Sequence, residues 1–126
     1  KELYPKLEHF NHLPNTRVIG WTDQMPEIIK ASDLVITKAG GATVMECIAA
    51  KKPMIITQVI PGQEMGNAVL IKLHELGIIQ KEAKMSISEC IDYIRKNQQR
   101  ILNNLARVSK PEASMEIAHF IHEQIG

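Results

Sequence analysis

The sequence is short of aromatic residues, of net charge and of long apolar runs, and each shortage excludes a class of function. Only 4% of its 126 residues are aromatic, so it lacks the stacking surfaces that proteins use to bind single-stranded nucleic acid. A net charge of +1 gives no electrostatic basis for nucleic-acid binding or strong membrane attachment. No apolar run approaches the roughly 20 residues of a membrane-spanning helix. We therefore expect one ordinary globular domain without a nucleic-acid partner.

Cysteine is also scarce, and its placement argues against disulfides and structural zinc. Cys47 and Cys90 are far apart and form neither a CxxC pair nor a zinc-like spacing. The sequence therefore predicts two buried, reduced thiols in a cytoplasmic protein. Two pairs of histidines three residues apart lack a third ligand nearby and are interpreted as surface residues.

Short apolar runs alternate with helical patterns along the chain, which is typical of a parallel sheet. The predicted strands are residues 17–20, 33–37, 53–57 and 77–80. The predicted helices are residues 3–10, 23–31, 43–50, 64–76, 86–105 with a break near Asn97, and 113–125. The fold class is α/β, an open Rossmann-like parallel sheet with helices on both faces. Because the chain opens on a helix, we expect earlier strands of the domain to be missing from it.

The first chemistry-bearing segment is residues 37–46, Thr-Lys-Ala-Gly-Gly-Ala-Thr-Val-Met-Glu. Gly40 and Gly41 allow a sharp turn from a strand into a helix, where free amides and the helix dipole favour a phosphate. Glu46 lies one turn into that helix, where its carboxylate could accept hydrogen bonds from a ribose diol. A second interpretation stays open, because Thr43 and Glu46 also form a capping-box pattern that needs no ligand.

Two further polar segments follow predicted strands at the same edge of the sheet. Residues 61–68 place Gln63, Glu64 and Asn67 at the start of a helix, where amides and a carboxylate could bind sugar hydroxyls. An ordinary polar loop is the alternative. In the other segment Trp21, the only tryptophan, is either an apolar plug against the sheet or the wall of a nucleobase pocket.

Together these segments resemble the C-terminal domain of monogalactosyl- and glucosyl-diacylglycerol synthases. The resemblance covers about residues 1–110 and depends most on SDLVITKAGGAT (residues 32–43) and PGQE..NA (residues 61–68). The segments resemble more loosely the N-acetylglucosaminyl transferase of peptidoglycan synthesis, which has two glutamines at the positions of Gln63 and Glu64. It implies the GT-B architecture, in which two Rossmann-like domains face each other across a cleft. The C-terminal domain binds a UDP-sugar, and the N-terminal domain supplies the acceptor site and general base.

The resemblance also implies a role for individual residues. The backbone of Trp21 and Thr22 would meet the uracil, and Glu46 would hold the ribose. The sugar would contact Gln63 and Glu64, with Asn67 nearby. The diphosphate would bind the amides that follow Gly40, namely those of Gly41, Ala42 and Thr43. No catalytic residue is assigned within the chain, and Lys38 is either solvated or a source of positive charge for the phosphates.

Several expectations about the whole protein follow from the same resemblance. Residues 1–126 would form a donor-binding domain that is incomplete at its N-terminus, with residues 112–126 as its C-terminal helix. The chain has no Asp-x-Asp, and the resemblance implies a transferase without a metal or other cofactor. Its partners would be a UDP-sugar and a lipid acceptor, bound at the cytoplasmic face of a membrane. The family's first two strands and its Gly-Ser-rich loop have no counterpart, so this piece alone should not turn over.

The predicted reaction is transfer of a hexose from UDP to a lipid, most naturally diacylglycerol. Transfer of N-acetylglucosamine to a polyprenyl-linked peptidoglycan precursor is the enzymatic alternative. A non-autonomous sugar-nucleotide-binding subunit of a split transferase is an alternative from a different class. The sequence does not distinguish the hexose.

Overall fold

The computed structural model describes residues 3–126, which form a three-stranded parallel sheet flanked by helices. The strands are β1 (Val35–Lys38), β2 (Met54–Gln58) and β3 (Gly77–Ile79). The helices are α1 (Tyr4–Leu7), α2 (Met25–Ala31), α3 (Gly41–Ala49), α4 (Met65–Leu73), α5 (Gln80–Ala83), α6 (Ile87–Lys96), α7 (Gln98–Val108) and α8 (Ala113–Ile125), and a 3₁₀ turn (Glu8–His12) follows α1.

The sheet order is β1-β2-β3, with β2 in the centre and both pairings parallel. Consecutive side chains of a strand point to opposite faces, yet Met54, Ile55 and Ile56 are all fully buried. Both faces of β2 are therefore covered, as the continuous apolar run predicts. The edge strand β1 instead alternates, and Ile36 is 49% exposed. The α/β fold class predicted from the sequence is confirmed.

The local signals at the helices of the second half are also confirmed. Ser86 caps α6 by accepting a hydrogen bond from the Glu89 amide at 3.2 Å, and the Glu89 carboxylate accepts from the Ser86 amide at 2.7 Å. The predicted break falls at Asn97, between α6 and α7. Cys47 and Cys90 are both free and buried.

The predicted first strand at residues 17–20 is wrong. The segment has no regular secondary structure and joins no sheet; Val18 donates its amide to the side chain of Asn11 at 2.6 Å instead of to a neighbouring strand. Ile19 is 47% exposed, so the short apolar pair that suggested a strand does not contribute to the core. The loop at Trp21 consequently does not follow a strand.

Candidate functional site

The N-terminus of α3 presents free amides on the carboxyl rim of the sheet. Gly40 is the N-cap, with φ −66° and ψ 134°, and it supplies no side chain to cap the helix. The helix's first hydrogen bond runs from the Val44 amide to the Gly40 carbonyl at 3.0 Å. The amides of the three preceding residues, Gly41, Ala42 and Thr43, have no helical acceptor, and the helix dipole makes such a terminus attractive to anions.

The capping-box interpretation of this helix is wrong. A capping box needs its Ser or Thr at the N-cap, whereas α3 begins at Gly41 and Thr43 therefore lies inside the first turn. Glu46 lies in the second turn and is half-buried. Among residues 3–126 no hydrogen bond or ion pair engages its carboxylate, so the acid is available to a ligand.

A glycine turn leads from β2 into α4. The Glu64 amide donates to the Ile60 carbonyl at 3.0 Å, and the Ile60 amide donates to the Glu64 carboxylate at 3.0 Å. Gly62 has φ +80°, a conformation that favours glycine over residues with a side chain. The turn thus closes on itself through Glu64, which is also the N-cap residue of α4.

Direct contacts join this turn to the start of α3. The Lys38 ammonium forms a hydrogen-bonded ion pair with Glu64, and the Asn67 side-chain amide donates to the Ala39 carbonyl at 2.8 Å. The Ala39 amide in turn donates to the Gln58 carbonyl at 2.9 Å. The ends of β1 and β2 and the starts of α3 and α4 therefore form one connected rim.

The residues predicted to contact a sugar differ in exposure. Gln63 is exposed and makes no hydrogen bond within the described part of the chain. Glu64 is only 5% exposed, and its two carboxylate oxygens accept from Lys38 and Ile60. Asn67 is half-buried and is oriented by the Ala39 carbonyl. The ion pair between Lys38 and Glu64 was not predicted from the sequence, although a lysine at the end of one strand and an acid at the start of a helix after the next strand are signals that could have suggested it.

An open groove of about 470 Å³ lies beside Glu46. Its walls are mostly apolar and come from α3, α4, the end of α7, the connection that follows it and the start of α8, including Met45, Leu70 and Val108. Burial and the neighbouring Glu46 carboxylate raise the pKa of the Cys47 thiol to about 11. The buried Cys47 thiol thus stays protonated near neutral pH and is not a candidate nucleophile.

The loop at residues 20–24 contributes an exposed tryptophan. Trp21 is 92% exposed, so its interpretation as an apolar plug is wrong. The Thr22 hydroxyl accepts a hydrogen bond from the Gln24 amide at 3.0 Å and orders the entry to α2. No hydrogen bond among residues 3–126 joins this loop to the rim at Lys38 and Glu64.

Comparison with known proteins identifies the family. Residues 1–124 match the model of the glycosyltransferase family 28 C-terminal domain. The chain belongs to this family. It is 31% identical to monogalactosyldiacylglycerol synthase 1, chloroplastic, of Arabidopsis thaliana, over 99% of the chain and 24% of that protein. It is 31% identical to synthase 3 of the same plant, over 84% of the chain and 23% of the relative.

A probable monogalactosyldiacylglycerol synthase of Nicotiana tabacum is 30% identical over 99% of the chain and 24% of that protein. The chain spans about a quarter of the length of the curated relatives that it matches. No helix within residues 3–126 is long and apolar enough to cross a membrane.

The ion pair predicts an acid dependence of stability that is specific to Glu64. Hydrogen bonds from the Lys38 ammonium and the Ile60 amide lower the pKa of this carboxyl below its usual value. A lowered folded-state pKa stabilises the fold above the unfolded pKa of about 4.3, and the contribution is lost as pH falls through the folded value. We expect Glu64→Gln to be destabilised relative to the unmodified protein near neutral pH, with a deficit that shrinks below pH ~4.

Denaturant unfolding of both proteins between pH 7 and pH 3 measures this deficit. Gln63→Ala removes an uncharged neighbour in the same turn and serves as the control, because its deficit should not vary with pH. A Glu64→Gln deficit of the same size at every pH would contradict the prediction.

Proposed function

We propose that this family 28 domain binds the UDP-sugar donor of an enzyme that transfers a hexose to a lipid acceptor, diacylglycerol. One observation carries the proposal, namely that the free amides at the start of α3 and the unengaged Glu46 carboxylate in its second turn lie on the same helix, whose start adjoins the turn before α4. A nucleoside diphosphate has an anion at one end and a ribose diol next to it, and both groups match donors and acceptors of this arrangement. Family membership supports the reaction class.

The diphosphate binds the amides of Gly41, Ala42 and Thr43 behind Gly40. In the transition state the bond to the anomeric carbon breaks and negative charge develops on the UDP leaving group. Preorganised amides and a helix dipole stabilise such charge without reorganising, so the chain needs no metal or other cofactor for this task. The hydroxyl of the acceptor lipid forms the new bond to the anomeric carbon as the bond to UDP breaks, and the configuration of that carbon inverts. The general base that takes the hydroxyl proton belongs to the acceptor domain of the whole protein.

The remaining predicted ligands lie on either side of the diphosphate. Glu46 accepts hydrogen bonds from the ribose, and the backbone of Trp21 and Thr22 meets the uracil. Gln63, exposed at the tip of its turn, contacts the transferred hexose, and Asn67 lies next to it. In the whole protein this site faces an acceptor domain that binds diacylglycerol from the cytoplasmic face of a membrane.

Diacylglycerol is favoured over a peptidoglycan precursor by the curated relatives. These relatives are named monogalactosyldiacylglycerol synthases, and the sequence has Gln63 and Glu64 where the resembling peptidoglycan enzyme has two glutamines. Assay of the full-length protein with UDP-glucose, UDP-galactose and UDP-N-acetylglucosamine against both acceptors tests the choice. Transfer only of N-acetylglucosamine to the polyprenyl acceptor would contradict it.

The two ends of the donor predict different consequences for two substitutions. Glu46→Ala removes a charged acceptor of hydrogen bonds. We expect it to lower the affinity for UDP and for all three UDP-sugars equally, by about tenfold or more. Gln63→Ala should leave UDP unaffected and change the ranking among the sugars. Calorimetric titration of the full-length protein measures both.

Asp92, an exposed acid on α6, supplies the matched control, and Asp92→Ala should bind every ligand as the unmodified protein does. If Glu46→Ala spared UDP, or if Gln63→Ala weakened every ligand equally, the assignment of the two ends would be wrong.

A further inference from the structure

We propose that Glu64 is a positioning residue of the donor site, which holds the Lys38 ammonium at the start of α3 where the diphosphate binds. The inference rests on the proposed function and assigns Glu64 a task other than contact with the sugar. Its observations are the ion pair, the unequal exposure of its two partners and the space left at Gly40.

The two members of the pair are buried to very different extents. The Lys38 side chain is 52% exposed, whereas that of Glu64 is 7% exposed. The cation is therefore accessible from solvent while the acid that holds it lies beneath. A ligand reaching this rim meets the positive charge and not the negative one.

Gly40 leaves the space that the ammonium occupies. A Cβ added at Gly40 would lie 3.0 Å from the Lys38 Nζ and 3.7 Å from a Glu64 carboxylate oxygen. The ammonium consequently stands against the N-cap residue of α3, next to the free amides. Glycine at this position permits the approach.

The helix dipole of α3 determines how the Lys38 ammonium behaves at this location. The N-terminus of a helix carries partial positive charge, so an ammonium there is unfavourable unless an anion compensates for it. Glu64 supplies that compensation in the free protein. When a diphosphate arrives, the ammonium, the dipole and the amides all attract it, and the lysine needs no rearrangement to reach it.

The carboxylate oxygen of Glu64 that does not contact Lys38 holds the orientation of the whole carboxylate. It accepts from the Ile60 amide at 3.0 Å, and the Glu64 amide donates back to the Ile60 carbonyl. The orientation of the carboxylate is thus determined by the backbone of the turn before α4, and Lys38 is held by a residue of the neighbouring crossover. With both oxygens already hydrogen-bonded and only 7% of its side chain exposed, Glu64 offers little accessible surface to a sugar hydroxyl.

Four variants of the full-length protein test the proposal: Lys38→Met, Glu64→Gln, the double variant, and Glu75→Gln as a control. Glu75 follows α4 at its other end and pairs with Arg100 at 3.5 Å with both side chains about half exposed, so its substitution breaks an ion pair without touching the rim. Calorimetric titration uses uridine, UDP, UDP-glucose and UDP-galactose.

We expect Lys38→Met and Glu64→Gln each to lower the affinity for UDP by about tenfold or more, which is the effect of losing one charge-assisted contact. Uridine affinity and the ratio between the two sugar nucleotides should stay unchanged, as should every affinity of Glu75→Gln. The double variant should lose no more than the worse single variant, because the two residues act as one unit. Lys38→Arg, which keeps the charge, should recover part of the UDP affinity.

Three results would overturn the inference. A changed sugar ratio with unchanged UDP affinity in Glu64→Gln would make Glu64 a sugar contact. Losses that add in the double variant would show that the pair is not a unit. Equal losses of uridine and UDP would indicate general damage to the rim. If the unmodified protein binds no UDP, the proposed function itself fails, which is a distinguishable outcome.

Discussion

Replacing Gly77 with alanine is expected to destabilise the domain more than any surface substitution discussed above. Gly77 begins β3 opposite Met54, and an added Cβ would lie 2.1 Å from the Met54 carbonyl oxygen and 2.9 Å from its carbonyl carbon. These are backbone atoms of the central strand, so relief requires the two strands to separate. Overpacking typically costs about 1–3 kcal/mol, and a clash with backbone atoms belongs at the upper end of that range, so we expect the melting temperature to fall by about 10 °C.

A second glycine provides the matched control. Gly66 lies in α4, and nothing is within 4 Å of a Cβ added there. Alanine is favoured over glycine in a helix by up to about 1 kcal/mol, so Gly66→Ala should keep or raise the melting temperature. Thermal unfolding of both full-length variants measures the difference, and hydrogen exchange of β2 and β3 amides locates it. Equal stability of the two variants would contradict the close approach at Gly77.

Apolar patterns and capping motifs correctly predicted the strands and helices whose conformation depends mainly on nearby residues. The apolar run at residues 53–57 is buried on both faces as β2, and Ser86 with Glu89 starts α6 where the pattern indicates. The break at Asn97 is likewise a local event. The predicted strand at residues 17–20 failed because a strand depends on a partner, and its Val18 amide bonds instead to Asn11.

The site shows the same division between local and long-range information. The turn through Gly40 into a helix was predictable, because glycine and the following sequence determine it. The start of that helix at Gly41 was not, and a two-residue shift removed the capping role from Thr43 and Glu46. The pairing of Lys38 with Glu64 joins residues 26 apart in sequence, and it depends on the registry of two parallel strands that no single segment encodes.

The unused space at the start of α3 predicts the largest effect on ligand binding. A Cβ added at Gly41 would lie 3.6 Å from the Asn67 side-chain nitrogen, an ordinary van der Waals contact. Apart from the two neighbouring residues and the backbone of α3 itself, no other heavy atom of residues 3–126 would be within 4 Å. The protein can therefore accept a Cβ atom there without backbone movement. Only a ligand that approaches the amides of α3 closely would be obstructed by it.

We therefore expect Gly41→Val to lower the affinity for UDP by about 100-fold or more, because a branched side chain displaces the diphosphate from several charge-assisted hydrogen bonds together. The UDP affinity of Gly41→Ala should lie between that of Gly41→Val and that of the unmodified protein. Uridine lacks the diphosphate and should bind all three proteins alike, and the melting temperature should change little. Calorimetry with UDP and uridine, together with thermal unfolding, separates these effects. If Gly41→Val bound UDP normally, the diphosphate would not lie against α3, and the glycines would serve only the turn.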